Sequence, residues 1–109
     1  MSPNHGLTGK TIARIVGVLE RFPEVEIAIL FGSRAKGTHR RGSDIDLALA
    51  GGNLDWRKLG QIDDALDDLL LPYGFSLVEL SKNTDPEMAA HIKRVGITLY
   101  EKATIETKR

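Results

Sequence analysis

The chain has 109 residues, of which 41% are hydrophobic and 28% charged, a composition typical of one small globular domain rather than of a disordered chain. Fifteen basic and fifteen acidic side chains give a net charge of zero, so the basic excess expected of a general nucleic-acid-binding protein is absent. Cysteine is absent, which excludes disulfides, and no apolar run approaches the roughly 20 residues of a membrane span, so we expect a soluble, cytoplasmic protein.

The first half of the chain predicts a helix followed by two strands. Thr8 can cap a helix whose apolar residues recur at helical spacing until Pro23 ends it. Residues 25–31 form a nearly continuous apolar run rich in β-branched side chains, which is typical of a buried strand, and Gly32 stops it. After a polar segment, residues 44–49 predict the second strand.

The second half predicts a helix, a strand, a helix and a short last strand. Asp55 can cap a long helix with one apolar stripe, which ends before Gly74. Residues 75–80 form the third predicted strand. Asp85, followed by proline at the favoured first position, can cap the last helix, and residues 97–100 are a further short-strand candidate.

This order of elements predicts an α/β (α+β) fold. The short connection between the first two strands allows an antiparallel hairpin, and the longer helical crossover allows the third strand to lie parallel. The simplest arrangement is a small mixed β-sheet with helices packed mainly on one face. We expect residues 1–109 to form a single domain, with a polar tail from about residue 102 to the end.

Asp44 and Asp46 lie two positions apart on the second predicted strand. Because side chains alternate along a strand, both carboxylates should project from one face, with their Cα atoms about 6.5–7 Å apart, while Ile45 and Leu47 face the core. A divalent cation would relieve the repulsion between the two acids, and oxygen ligands favour Mg²⁺ or Mn²⁺. For this pattern alone, a solvated strand face that carries two acids stays open as the alternative.

Gly32-Ser33 directly follows the predicted buried strand. A glycine there lets the backbone approach a ligand closely, and the N–H groups of a helical turn over residues 33–36 would bind an anion. The Ser33 hydroxyl and the Arg34 guanidinium would bind phosphate oxygens, and Lys36 adds positive charge. Taken alone, a Gly-Ser pair is more often an ordinary turn that ends a strand.

The two motifs together are more specific than either one. Gly32-Ser33, ten intervening residues and then Asp44-Ile45-Asp46 resembles the nucleotidyltransferase superfamily of DNA polymerase β. The fuller strings, residues 31–37 (Phe-Gly-Ser-Arg-Ala-Lys-Gly) and residues 43–47 (Ser-Asp-Ile-Asp-Leu), resemble the minimal nucleotidyltransferase (MNT) group. That group includes the antitoxins of HEPN/MNT toxin–antitoxin pairs.

The resemblance implies a polymerase β palm-like fold and the transfer of AMP from ATP to a hydroxyl, with a small helical HEPN-type protein as partner. It implies a catalytic and metal-binding pair, Asp44 and Asp46, with Mg²⁺ in a one- or two-metal site. The expected nucleotide-binding residues are Gly32, Ser33, Arg34 and Ser43. The sequence leaves open whether the chain forms a homo-oligomer.

One departure from the family pattern concerns the third acid that active members carry on a later strand. Ser76 stands at the expected position, and a serine supplies neither a carboxylate ligand nor an effective base. Glu79 is three residues further, which on a regular strand places it on the opposite face. The alternative function is therefore a weak or inactive nucleotidyltransferase-like subunit that acts by contact with its partner.

Two features of the long helix are expected to have no part in the site. Four acids on one side of this helix are interpreted as a solvated face: Asp63, Asp64, Asp67 and Asp68. Trp56, near the helix start, is expected to anchor packing rather than to stack on a base.

Overall fold

The computed structural model describes residues 6–37 and 44–102, with Ser33 and Lys36 described by their backbone only. Helices and strands alternate along the described chain. In order they are α1 (Gly9–Glu20), β1 (Ile27–Phe31), α2 (Gly32–Lys36), β2 (Ile45–Ala50), α3 (Trp56–Asp67), β3 (Phe75–Glu79), α4 (Pro86–Val95) and β4 (Ile97–Glu101). The predicted polar tail and Ser43 lie outside the described residues, apart from Lys102.

The four strands form one mixed sheet in the order β3-β2-β1-β4. β1 is antiparallel to β2 and to β4, whereas β2 and β3 are parallel. The predicted hairpin and the predicted parallel crossover are therefore both confirmed. The short last strand also forms, and it lies along β1 at the edge of the sheet opposite β3.

All three predicted helix caps are in place. The side chains of Thr8, Asp55 and Asp85 each accept a hydrogen bond from the backbone N–H three residues later, at 3.1, 2.9 and 3.1 Å. Each such bond satisfies a donor that the helix cannot satisfy itself, which stabilises the helix start by about 1 kcal/mol. Local sequence chemistry thus sets where α1, α3 and α4 begin.

Most of the apolar core lies between the sheet and the pair α1 and α3. Its buried members are Leu7, Ile15, Val18, Leu19, Val25, Ala28, Leu30, Ala35, Ile45, Leu47, Leu49, Leu54, Ile62 and Leu66. A smaller cluster of Phe31, Ala48 and Ile92 places α4 against the other face. The expectation that helices pack mainly on one face is confirmed.

Trp56 differs from its expected role. Its side chain is 74% exposed, and its ring lies 5.3 Å from the guanidinium carbon of Arg57 rather than in the core. The first residue of α3 points away from the sheet, whereas Ile62 and Leu66 carry the packing of this helix. The packing-anchor prediction was wrong because the apolar stripe of α3 consists of Leu59, Ile62 and Leu66, and Trp56 lies outside it.

None of the helices in the described part of the chain is long and apolar enough to cross a membrane.

Candidate functional site

The carboxylate pair lies at the start of β2, in the middle of the sheet. Asp44 immediately precedes the strand and is exposed, and Asp46 is its second residue and is partly buried. Asp46 pairs with Phe31 at the end of β1 on one side and with Ser76 near the start of β3 on the other. The sheet therefore holds Asp46 between the end of one neighbouring strand and the beginning of the other.

Because side chains alternate between the two faces of β2, the acids lie on the face opposite the main core. Ile45 and Leu47 are fully buried in the large cluster beneath α1 and α3, as the strand pattern predicted. Asp46 points to the face that also carries Ala48, whose side chain belongs to the smaller cluster with α4. The acid pair therefore projects from the less covered face of the sheet.

Gly32 is in direct contact with the Asp46 carboxylate. Its φ of +76° lies in the left-handed region, and a Cβ at this position would collide with Asp46 Oδ2. The backbone conformation favours glycine here, and the missing Cβ leaves room for the Asp46 carboxylate in its observed position. The turn that follows β1 therefore lies against Asp46. A site that uses both the Gly-Ser turn and the acid pair requires this contact.

Gly74 makes the corresponding approach to the first acid. A Cβ on Gly74 would lie 2.9 Å from Asp44 Oδ1, and the Gly74 carbonyl accepts a hydrogen bond from the Ile45 N–H at 2.9 Å. The segment that leads into β3 therefore runs directly beside Asp44. One glycine contacts each acid, from opposite sides of β2.

The electrostatics of the pair are unfavourable without a counter-charge. Burial, and secondarily the negative charge of Asp44, raise the pKa of the Asp46 carboxyl above its ordinary value. Two carboxylates on one face, one of them partly desolvated, are a fitting donor set for a divalent cation such as Mg²⁺. Among the described residues, no third histidine, aspartate or glutamate joins them.

Ser76 occupies the place beside Asp46 where a third acid would complete such a set. The parallel register pairs the two residues directly, and the Ser76 side chain is exposed. Glu79 pairs with Leu49 at the far end of β3, and its odd spacing from Ser76 directs it to the opposite face. The described part of β3 thus brings a hydroxyl, and no carboxylate, next to the acid pair.

Arg34 is buried in a way that the sequence did not indicate. Its side chain is only 2% exposed, and its guanidinium carbon lies 4.5 Å from the ring centroid of Tyr73. This cation–π contact joins α2, which begins at Gly32, to the segment just before Gly74. The two backbone segments that touch the acids are therefore also in contact with each other through their side chains.

The polymerase beta nucleotidyltransferase family model matches residues 13–105, a range that contains both motifs and all four strands. The chain belongs to this family. No curated protein matches the chain. The acid pair and the Gly-Ser turn therefore lie in a nucleotidyltransferase-type domain.

Solved structures of MNT antitoxins share the fold. A toxin–antitoxin crystal structure with AMP-PNP is 26% identical, with a TM-score of 0.70 over 84% of this chain and 73% of that chain. An MntA–HepT toxin–antitoxin structure is 21% identical, with a TM-score of 0.66 over 87% and 74% of the two chains. A complex of a tri-AMPylated Shewanella oneidensis HEPN toxin with its MNT antitoxin is 20% identical, with a TM-score of 0.64 over 85% and 71%.

Within this nucleotidyltransferase domain the predicted site residues are only partly brought together. Asp44, Asp46 and Gly32 meet at one end of the sheet, and the backbone of Ser33 follows at the start of α2. Ser43 lies outside the described residues. The site thus consists of the Gly-Ser turn, the acid pair and the start of β3.

Sequence reasoning missed two residues of the site, Tyr73 and Gly74. In the sequence Gly74 marks only the end of the α3 segment, although a glycine directly before a strand that pairs with the acid-bearing strand can also indicate a close backbone approach. No local pattern pointed to Tyr73, because its contact with Arg34 joins residues that are distant along the chain.

Proposed function

We propose that this nucleotidyltransferase domain transfers AMP from ATP, with Mg²⁺, to a hydroxyl of a small helical HEPN-type partner, and so acts as an antitoxin. The observation that carries the proposal is the packing of Gly32 against the Asp46 carboxylate. This contact joins the Gly-Ser turn to the acid pair, which supports one shared site for phosphate and metal. A cysteine-free chain that uses ATP is in keeping with a cytoplasmic location, which belongs to the same proposal.

The nucleotide-binding part of the proposal assigns phosphate contacts to Gly32, Ser33 and Ser43, and a supporting positive charge to the buried Arg34. The absence of a Cβ on Gly32 lets a phosphate approach the backbone of the turn. Arg34 contributes a positive charge close to the turn, with its orientation fixed by the ring of Tyr73. The relative with 26% identity was crystallised with AMP-PNP, which supports a nucleotide as the ligand.

The metal-binding part assigns Mg²⁺ to Asp44 and Asp46. Their repulsion and the partial burial of Asp46 favour a bound cation, which would lower the cost of holding both groups ionised. Mg²⁺ held by these two carboxylates would supply charge stabilisation at the phosphate oxygens. The chain itself holds the two carboxylates on one face through β2 and keeps the adjacent turn in contact with them through Gly32.

Label transfer to the partner tests this proposal. The chain is mixed with Mg²⁺, ATP labelled at the α-phosphate and a purified HEPN-type protein. We expect label on the HEPN protein with the wild-type chain and its loss with Asp44→Asn or Asp46→Asn. Equal labelling by the variants, or none by the wild type, would contradict the proposal.

A second candidate function rests on the serine beside Asp46. Without a third carboxylate at position 76, the domain would transfer AMP weakly or not at all and would neutralise its partner by contact. Neutralisation of the HEPN protein in cells separates the two functions. A chain that carries both Asp44→Ala and Asp46→Ala should still neutralise if contact suffices, and should fail if AMP transfer is needed.

A further inference from the structure

The hydroxyl of Ser76 has no role in the proposed transfer to a partner, yet it lies directly beside the acid pair. Ser76 pairs directly with Asp46 in the parallel register and is exposed on the face from which the acids project. Neighbouring strands lie about 4.8 Å apart, so side chains of paired residues on one face are adjacent. A nucleotide held by Asp46 would therefore have the Ser76 hydroxyl among its nearest protein groups.

We propose that Ser76 is itself a nucleotide acceptor, so that the chain attaches a nucleoside monophosphate to its own β3. The inference rests on the proposed function, because it uses the same Mg²⁺-nucleotide site. It adds an acceptor within the chain, and thus a covalent modification of the site. The substrate class is a ribonucleoside triphosphate, and the product is a phosphodiester between Ser76 and the nucleoside.

The transfer step balances with no further reactant. The Ser76 Oγ forms a bond to the α-phosphorus, and the bond from this phosphorus to the oxygen that bridges to the β-phosphate breaks. Pyrophosphate leaves with that electron pair. The hydroxyl proton passes to water, which reaches the exposed side chain directly. No atom is oxidised or reduced.

The missing third acid should slow transfer to a hydroxyl of another protein more than transfer to Ser76 of the same chain. A positioned general base contributes about 10²- to 10⁴-fold to such a reaction. An intramolecular, well-oriented nucleophile has an effective concentration of roughly 10⁵–10⁸ M. Because the register holds Ser76 beside Asp46, this acceptor needs no separate binding step, which favours Ser76 over an external hydroxyl.

Attachment of one nucleotide to Ser76 would also prevent a second transfer by the same chain. A nucleotide joined to Ser76 would lie beside Asp46, where the next nucleotide would have to bind. We therefore expect at most one modification per chain, and no release of free AMP. A modified chain should bind Mg²⁺-nucleotide more weakly than an unmodified one.

Intact-mass measurement and peptide mapping test the proposal. The full chain is incubated with Mg²⁺ and, in separate reactions, with each of the four ribonucleoside triphosphates. We expect a single gain of one nucleoside monophosphate on the peptide that contains Ser76. Ser76→Ala and Asp46→Asn should remove it, Ser76→Thr should retain part of it, and Ser81→Ala, on the exposed turn after β3, should match the wild type.

The outcomes separate this inference from the proposed function. In parallel, binding of α,β-methylene-ATP, which cannot transfer its α-phosphate, is measured with Mg²⁺, and label transfer to the HEPN protein is followed. If the partner is labelled while Ser76 stays unmodified, the inference fails and the proposed function stands. If nucleotide binds while neither Ser76 nor the partner is labelled, the inference and the proposed transfer both fail, and only the Mg²⁺-nucleotide site stands. If nucleotide neither binds nor is transferred, both fail. A modification at another residue that persists in Ser76→Ala also overturns the inference.

Discussion

The two faces of β2 differ in burial, charge and expected tolerance of change. Ile45, Leu47 and Leu49 are fully buried beneath α1 and α3, whereas Asp46, between two of them in the sequence, points to the open face. The apolar residues stabilise the sheet through burial. Asp46 opposes folding, since burial and the charge of Asp44 raise its pKa. The buried face of β2 thus stabilises the fold. Its open face carries an acid whose charge is unfavourable for folding but suited to binding a cation.

The largest expected effect comes from the core face. Leu47→Ala removes a fully buried side chain and should lower the free energy of unfolding by about 3 kcal/mol. Leu70→Ala deletes the same atoms from a side chain that is 88% exposed and should change it by less than about 0.5 kcal/mol. Urea unfolding followed by circular dichroism measures both. Similar losses in the two variants would contradict the assignment of the core face.

Gly32→Ala should affect both stability and binding. The added Cβ collides with the Asp46 carboxylate at a φ that alanine adopts poorly, so we expect a loss of about 1–3 kcal/mol. We also expect nucleotide binding to be lost. The matched control is Gly60→Ala in α3, where no atom lies within 4 Å of the new Cβ, and it should stabilise the helix by roughly 0.5–1 kcal/mol. A Gly32→Ala variant that is as stable as the wild type and still binds nucleotide would contradict the close contact between Gly32 and the Asp46 carboxylate.

The contact between Arg34 and Tyr73 should have a smaller effect. Tyr73→Leu removes the ring beside the guanidinium and should cost about 1 kcal/mol, while Tyr73→Phe keeps the ring and should cost less. Because the contact orients α2 against the start of β3, the leucine variant should also weaken nucleotide binding. Thermal unfolding and nucleotide titration measure the two effects. Equal behaviour of the two variants would show that the ring does not hold Arg34.

Asp46→Asn should give the smallest change in stability, and this change should be an increase, whereas the other site and core variants lose stability. Removing the charge removes the cost of partly burying a carboxylate and, secondarily, the repulsion from Asp44, so without Mg²⁺ the variant should melt at a higher temperature than the wild type near neutral pH. A raised folded-state pKa means that the folded protein binds the proton more tightly. The wild type should therefore regain stability relative to the variant as pH falls through the raised pKa toward 3.8.

Added Mg²⁺ and nucleotide provide the control for this stability change. They should raise the melting temperature of the wild type and leave that of Asp46→Asn unchanged. A wild type more stable than the variant at neutral pH without Mg²⁺ would contradict the electrostatic account of the open face.

The sequence predicted most of the elements because their signals are local. The caps at Thr8, Asp55 and Asp85 and the alternation around Asp46 depend on neighbouring residues. The hairpin and the parallel crossover followed from the lengths of the connections. The family assignment followed from two motifs whose combined spacing is specific.

The contacts that shape the site depend on packing between distant segments, which local patterns do not encode. Tyr73 is 39 positions after Arg34 in the sequence, and its ring lies over the guanidinium only because β3 lies beside β2. For Trp56 the local pattern predicts a packing contact that the fold does not form, and this aromatic residue at the start of α3 is exposed.

The most direct test of the central claim is calorimetric titration of the full chain with α,β-methylene-ATP in the presence of Mg²⁺. The claim is that the Gly-Ser turn and the acid pair form one Mg²⁺-nucleotide site. We expect one nucleotide per chain, with binding lost in Asp44→Asn, in Asp46→Asn and when EDTA removes the metal. Binding of equal affinity in wild type and Asp46→Asn, or no binding in the wild type, would contradict the claim.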